Sequence, residues 1–74
     1  MTAIQHLRGA EENAQATLQA LNRAILAAKQ EGNELLAYVT VQERNATIVL
    51  RDRINGIRRA AEKASEPVTP TEEL

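Results

Sequence analysis

The sequence has no cysteine, no tryptophan and no phenylalanine, and Tyr38 is its single aromatic residue. Without cysteine the chain can form neither a disulfide nor a thiolate metal site. Without large aromatic side chains it lacks the residues that dominate most compact cores. Its apolar content is mainly alanine, leucine, isoleucine and valine, which suits closely packed helices better than a sandwich or a barrel. At 74 residues the chain forms one small domain at most.

Glycine and proline are also scarce, and neither occurs between Asn33 and Asn55. The one strong internal break therefore lies just before this stretch. Lys29 suits the end of a helix, and Gly32 suits the left-handed residue that follows one. Asn33 suits the N-cap of a second helix. A helix that ends where the next one begins leaves a short connection, and this predicts two antiparallel helices.

The first helix is predicted from a capping pattern and a regular apolar repeat. Thr2 and Gln5 have the spacing of a capping box, which places the helix start at about Ala3. The repeat alternates steps of three and four residues, and Glu11 is its one polar member. Its positions, called here the α1 seam, are Ile4, Leu7, Glu11, Ala14, Leu18, Leu21, Ile25 and Ala28.

The second helix carries more apolar residues than one neighbour can cover. One side bears Leu36, Val39, Ala46, Leu50, Ile54, Ile57, Ala61 and Ala64, and we predict that it packs on the first helix. The other apolar positions are predicted to form an oligomer or partner interface, because a helix that is apolar nearly all round is normally buried nearly all round. These positions are Ala37, Tyr38, Val41, Ile48 and Val49.

The predicted fold is all-α: an antiparallel two-helix hairpin over residues 1–65 that self-associates into a helical bundle or a higher oligomer. Helix 1 should span about residues 3–31 and helix 2 about residues 34–65. Residues 66–74 are predicted to be a disordered acidic tail, because Pro67 disfavours helix at Glu66 and little apolar content follows. The alternative is a β-hairpin within residues 36–51, where β-branched residues are common.

Charge is distributed unevenly along a chain whose formal net charge is −1. Residues 35–65 hold six of the nine basic groups, which is mildly basic but far short of a dedicated DNA-binding surface. Arg44, Arg51 and Arg58 recur every seven residues and form a row beside the apolar face of helix 2. Their forked donors suit a phosphate or carboxylate, so the row is a candidate anion site. The alternative is a solvated face on which the arginines pair with neighbouring carboxylates.

One buried ion pair is predicted from the register of the hairpin. Folding about Gly32 places Glu11 opposite Arg53, each at the edge of an apolar stripe. We expect a Glu11–Arg53 pair that fixes the register of the two helices.

No pattern in the sequence indicates catalysis. His6 has no correctly spaced companion for a metal, and neither a Ser–His–Asp set nor a glycine-rich phosphate loop is present. We therefore expect a protein that is not an enzyme and holds neither a metal nor a cofactor. No signal peptide or membrane span is visible, so the expected setting is cytoplasmic.

Several residues of the hairpin resemble a family of small phage proteins that sequester cyclic nucleotide immune signals, the anti-CBASS and anti-Thoeris sponges. Lys29, Gly32 and Leu35 are similar to that family's Lys-x-x-Gly-x-x-Leu segment at the end of its first helix. The chain also resembles the family in the spacing of four residues along the second helix, namely Arg44, Ile48, Gly56 and Pro67. The resemblance implies a cyclic nucleotide ligand, with Lys29 and Arg44 in contact with its phosphates.

Three functions agree with these features. A small phage- or plasmid-type inhibitor or adaptor would bind a host protein through the second apolar side of helix 2, at Ala37, Val41 and Ile48, or through the acidic tail. A nucleotide sponge would sequester its ligand without turnover around Lys29, Arg44 and Arg51. A four-helix RNA-binding regulator would use the arginine row, although nucleic acid is the less favoured partner. A purely structural oligomerisation module is the remaining alternative.

Overall fold

The computed structural model describes residues 2–65, which form two α-helices joined by a tight turn. Helix α1 spans Ala3–Gln30 and helix α2 spans Glu34–Ala64, and the two pack antiparallel along their length. The all-α hairpin is therefore observed, with helix ends one residue short of the two predicted C-terminal bounds. The predicted tail, residues 66–74, lies outside the described residues.

The ends of both helices follow from local sequence. At the start of α1 the Thr2 hydroxyl accepts from the Gln5 amide at 3.2 Å, and the Gln5 side chain accepts from the Thr2 amide at 2.9 Å. This is the predicted capping box. At the turn Gly32 adopts a φ of +72°, the left-handed conformation that glycine reaches without strain. The Asn33 side chain then accepts from the Leu36 amide at 3.1 Å and caps α2.

Helix α2 continues unbroken through its β-branched middle, so the alternative β-hairpin over residues 36–51 is wrong. Within residues 2–65 no strand occurs. The hydroxyls of Thr40 and Thr47 donate to the carbonyls four residues earlier, at 2.7 and 2.9 Å, and so satisfy their polar groups inside the helix. Packing against α1 outweighs the weak strand preference of these residues.

The interior of the hairpin is small and comes mostly from the α1 seam. All eight seam positions are buried or half-buried, which confirms the predicted repeat. Among the described residues the buried apolar side chains are Ala14, Leu18, Ile25, Ala28 and Ala37. Only two of these, Leu18 and Ile25, are larger than alanine. Residues 2–65 contain no helix long and apolar enough to cross a membrane.

Helix α2 is rotated about its axis relative to the prediction, so a neighbouring side faces α1, and of the predicted stripe only Ile54 and Ala61 are half-buried. On the side that faces α1, Ala37 and Thr47 are buried and Val41 and Ile48 are half-buried, so these residues line the contact between the helices. The stripe expected at that contact is largely exposed, as Leu50 illustrates at 52 %. The small side chains of Ala37 and Thr47 let α2 approach the bulkier α1 seam closely, which favours the observed orientation.

Candidate binding surfaces

The arginine row of α2 lies along one flank of the hairpin, where it reaches across to α1. Arg44 donates to the side-chain oxygen of Asn22 at 3.4 Å, and Arg51 donates to that of Gln15 at 3.0 Å. The α1 partners are themselves seven residues apart, so two polar rows of equal spacing face each other. We call this flank the polar face. Its register differs by two residues from the predicted one, in which Arg44 would have faced Ala20.

At the open end of the hairpin the polar face becomes an ionic cluster. The Arg58 guanidinium donates to Glu11, which also accepts from Asn55 at 2.7 Å. Arg58 also pairs with Glu62 at 3.0 Å, and Arg8 donates to the same carboxylate at 2.7 Å. The side chains of Arg58 and Glu11 are only 19 % and 17 % exposed. The cluster therefore ties the two helix ends together where no apolar side chain is buried among the described residues.

The charges in this cluster stabilise one another. The hydrogen bond from Arg58, with a second from Asn55, lowers the pKa of Glu11 below its ordinary value. The hydrogen bonds from Arg8 and Arg58 lower the pKa of Glu62 in the same way. Those from Glu11 and Glu62 raise the pKa of Arg58. All of these groups are therefore held in their charged forms at neutral pH.

The predicted Glu11–Arg53 pair is wrong, because Glu11 bonds to Arg58 and Asn55 instead. Arg53 is exposed on the other flank of α2. The error follows from the orientation of α2: turning Ala37 and Thr47 towards α1 carries Arg53 away from the contact and brings Arg58 to it.

A shallow groove lies on the polar face beside the turn. It encloses about 450 Å³ and is lined by Lys29, Gly32, Glu34, Ala37, Tyr38 and Val41. Tyr38 is 61 % exposed, so its ring is available to a ligand. Arg44 follows Val41 by one helical turn, which extends the same flank away from the groove. The structure thus brings Lys29 and Tyr38 to one groove, with Arg44 on the next turn.

The four candidate anion-binding residues differ in what already surrounds them. Within residues 2–65 Arg44 makes no ion pair and bonds only the amide oxygens of Asn22 and Asn45. Arg51 bonds Gln15 and pairs with Asp52 at 3.2 Å. Arg58 is held by two carboxylates, as described above. Lys29 and Arg44 are therefore the members of the set that form no ion pair within residues 2–65, with Glu34 lining the same groove as Lys29.

The opposite flank carries an apolar surface that nothing in the hairpin covers. Its large side chains are Leu36, Val39, Leu50 and Ile57, which are 49 %, 51 %, 52 % and 58 % exposed. They belong to the stripe predicted to pack on helix 1. Of the residues predicted to form an oligomer or partner interface, Ala37, Val41 and Ile48 instead face α1, and that part of the prediction is wrong. Tyr38 and Val49 are exposed, at 61 % and 49 %, and their assignment stays a prediction.

Three polar-face residues were not singled out from the sequence: Arg8, Gln15 and Asn22. A signal for them was present, because they repeat every seven residues, as the arginines do. No cluster of three or more metal-ligating side chains occurs within residues 2–65. No family model, curated protein or solved structure matches the chain.

Proposed function

We propose that the chain is a non-enzymatic binding protein that works as a homo-oligomer and sequesters an anionic ligand on its polar face. The ligand class is a nucleotide, such as a cyclic nucleotide signal. In this proposal the setting is cytoplasmic and the role is that of a phage- or plasmid-type inhibitor. The observation that carries it is a contrast within residues 2–65: one flank exposes large apolar side chains, and the other holds Lys29 and Arg44, which form no ion pair there.

Self-association is supported by the balance between buried and exposed apolar side chains. The interior buries two apolar side chains larger than alanine, Leu18 and Ile25. The opposite flank leaves four such side chains about half exposed, from Leu36 to Ile57. Burying a leucine or isoleucine fully contributes about 1.5–3 kcal/mol, so covering these four half-exposed side chains would add about as much as Leu18 and Ile25 together supply. A second copy is the cover that any solution of the chain already contains.

Ligand binding is supported by the groove beside the turn. Lys29 supplies a positive charge and Tyr38 an exposed ring at the same groove, and a nucleotide needs contacts of both kinds. Arg44, one turn along, adds a guanidinium without a carboxylate partner within residues 2–65. The resemblance of Lys29, Gly32 and Leu35 to the sponge family's segment points to the same end of the hairpin.

Native mass spectrometry of the unmodified chain, with and without a panel of cyclic di- and trinucleotides, tests this proposal. We expect an oligomer that retains at least one of these nucleotides. Lys29→Gln and Arg44→Gln should each lower retention, whereas Arg23→Gln, on the exposed back of α1, should not. An oligomer that retains none of the panel would overturn the nucleotide ligand.

The second candidate is a module that binds only protein, either its own copies or a host protein as an adaptor. The observation in its favour is that Arg51 and Arg58 already bond α1 and neighbouring carboxylates, so the row serves the hairpin itself. Arg44→Gln would then leave all binding intact. An RNA-binding regulator would instead show affinity that falls steeply with salt concentration.

A further inference from the structure

The uncovered flank of α2 has its own seven-residue repeat. Its positions alternate steps of three and four residues, as the two core positions of a coiled coil do. We call them the apolar strip: Leu36, Val39, Glu43, Ala46, Leu50, Arg53, Ile57, Ala60 and Ala64. Every member is exposed in the hairpin. Within residues 2–65 the strip is therefore a second seam that no helix covers, interrupted by one acidic and one basic residue.

The two charged residues of the strip form no ion pair within the described hairpin. Glu43 and Arg53 are both exposed, and neither side chain forms an ion pair within residues 2–65. A charge in an otherwise apolar seam is costly to cover unless it meets an opposite one. Whatever covers this strip must therefore offer a base near Glu43 and an acid near Arg53.

A second copy of α2 meets that requirement when it runs antiparallel. In antiparallel pairs the two kinds of core position alternate across the contact, so each residue faces one of the other kind. Glu43 and Arg53 are of different kinds and lie five residues on either side of residue 48. A two-fold axis at the level of residue 48 therefore places each Glu43 against the other copy's Arg53.

The same axis also pairs the apolar members of the strip. It sets Leu36 against Ala60, Val39 against Ile57, and Ala46 against Leu50. Two of these layers combine a large side chain with alanine, and interdigitation of large and small residues favours close packing. A parallel arrangement would instead set Glu43 against Glu43 and Arg53 against Arg53. Charge complementarity thus selects the antiparallel arrangement.

Helix α1 leaves room for this partner. Its polar row, Gln15 among it, lies on the side of the α1 seam that meets the arginines. Ala10, Thr17 and Ala24 occupy the positions on the other side of the seam, which is the side of the strip, and Thr17 and Ala24 are exposed. Small side chains at these positions let another helix approach the hairpin closely, and the Thr17 hydroxyl already donates to the Asn13 carbonyl. Two hairpins joined along the strip therefore form a four-helix arrangement.

We infer that two copies of this chain associate through α2 in an antiparallel, two-fold symmetric dimer, with reciprocal Glu43–Arg53 ion pairs. This inference rests on the proposed self-association and specifies its partner, its orientation and its register. The dimer leaves the polar face, with Lys29 and Tyr38, open to a ligand on each copy.

Charge reversal across the strip tests the pairing. Glu43→Arg and Arg53→Glu should each weaken dimerisation about tenfold in sedimentation equilibrium, because each puts like charges together at two places per dimer. The double variant restores opposite charges and should recover the affinity of the unmodified chain. Glu12→Arg is the matched control, because Glu12 is exposed on α1 away from the strip. Two single effects that simply add in the double variant would overturn the pairing.

Cysteine cross-linking tests the orientation, since the natural chain contains no cysteine. Val39→Cys and Ile57→Cys should cross-link to each other in a mixture with a short bismaleimide, and neither variant should cross-link to itself. In an antiparallel dimer the two copies of position 39 lie roughly 27 Å apart along the helices. Self-cross-linking of Val39→Cys would overturn the antiparallel dimer and leave self-association standing. An unmodified chain that stays monomeric would overturn both.

Discussion

The two flanks of this hairpin are built by the same two helices, yet they differ in how far their side chains are paired or buried. On the polar face, arginines of α2 bond the polar row of α1, and the charges at the open end satisfy one another. On the opposite flank, every member of the apolar strip is exposed, and its four large side chains are about half exposed. The difference shows that the hairpin pairs Arg51 and Arg58 internally and leaves four large apolar side chains of α2 about half exposed. In our account the polar face holds the fold and a ligand, and the strip joins the copies.

The largest effect is expected from a polar substitution in the strip. Leu50→Gln should weaken dimerisation about a hundredfold, because the two-fold axis buries the substituted side chain twice per dimer. Leu26→Gln should leave dimerisation unchanged, since Leu26 is as exposed, at 58 %, but lies outside the strip on α1. Sedimentation equilibrium measures both. Equal losses would mean that exposed leucine in general, rather than the strip, causes association.

Acid should loosen the polar face. The pKa values of Glu11 and Glu62 are lowered in the folded chain, so their stabilisation is complete above the ordinary value of 4.5 and is lost as the pH falls through the lowered values. The melting temperature should therefore fall from about pH 4.5 downward. Circular dichroism between pH 7 and pH 2 measures it.

Two variants separate this cluster from general acid effects. Glu11→Gln should melt lower than the unmodified chain at pH 7 and lose less on acidification. Glu12→Gln should keep the full acid dependence, because Glu12 is exposed and forms no ion pair within residues 2–65. If the melting temperature of Glu11→Gln fell as much on acidification as that of the unmodified chain, the role assigned to the cluster would be contradicted.

The smallest effects are expected from glycine substitutions that change helix propensity or turn strain and alter the side chains of neither flank. Gly56→Ala should stabilise the chain by about 1 kcal/mol, because alanine favours helix and nothing lies within 4 Å of the added methyl group. Gly32→Ala should destabilise it by about 1 kcal/mol, because a φ of +72° strains any residue with a Cβ atom. Urea unfolding gives both values. A shift in the same direction for both would contradict the assigned turn geometry.

Local and periodic features of this fold could be predicted from the sequence. Thr2 with Gln5, and Gly32 with Asn33, act within one helical turn, so composition alone locates them. The α1 seam is a single regular repeat, and its eight positions all lie towards α2.

The orientation of α2 could not be predicted in the same way, because that helix carries two apolar stripes. Periodicity finds both stripes but does not say which one the first helix covers. The stripe with more large apolar side chains, from Leu36 to Ile57, was predicted to pack on α1, but its large side chains are about half exposed. Two features favour the observed orientation: the small side chains of Ala37 and Thr47 at the contact, and the hydrogen bonds of the arginine row with Asn22 and Gln15. Both depend on contacts between the helices rather than on either helix alone.

Sedimentation equilibrium of the unmodified chain across the micromolar range tests the claim that the apolar strip joins two copies. We expect a reversible equilibrium between monomer and dimer, with the dimer dominant at the upper end of the range. Circular dichroism on the same samples should show the helical content of the hairpin. A chain that stays monomeric and fully helical throughout the range would contradict the claim, because the apolar strip would then need no cover.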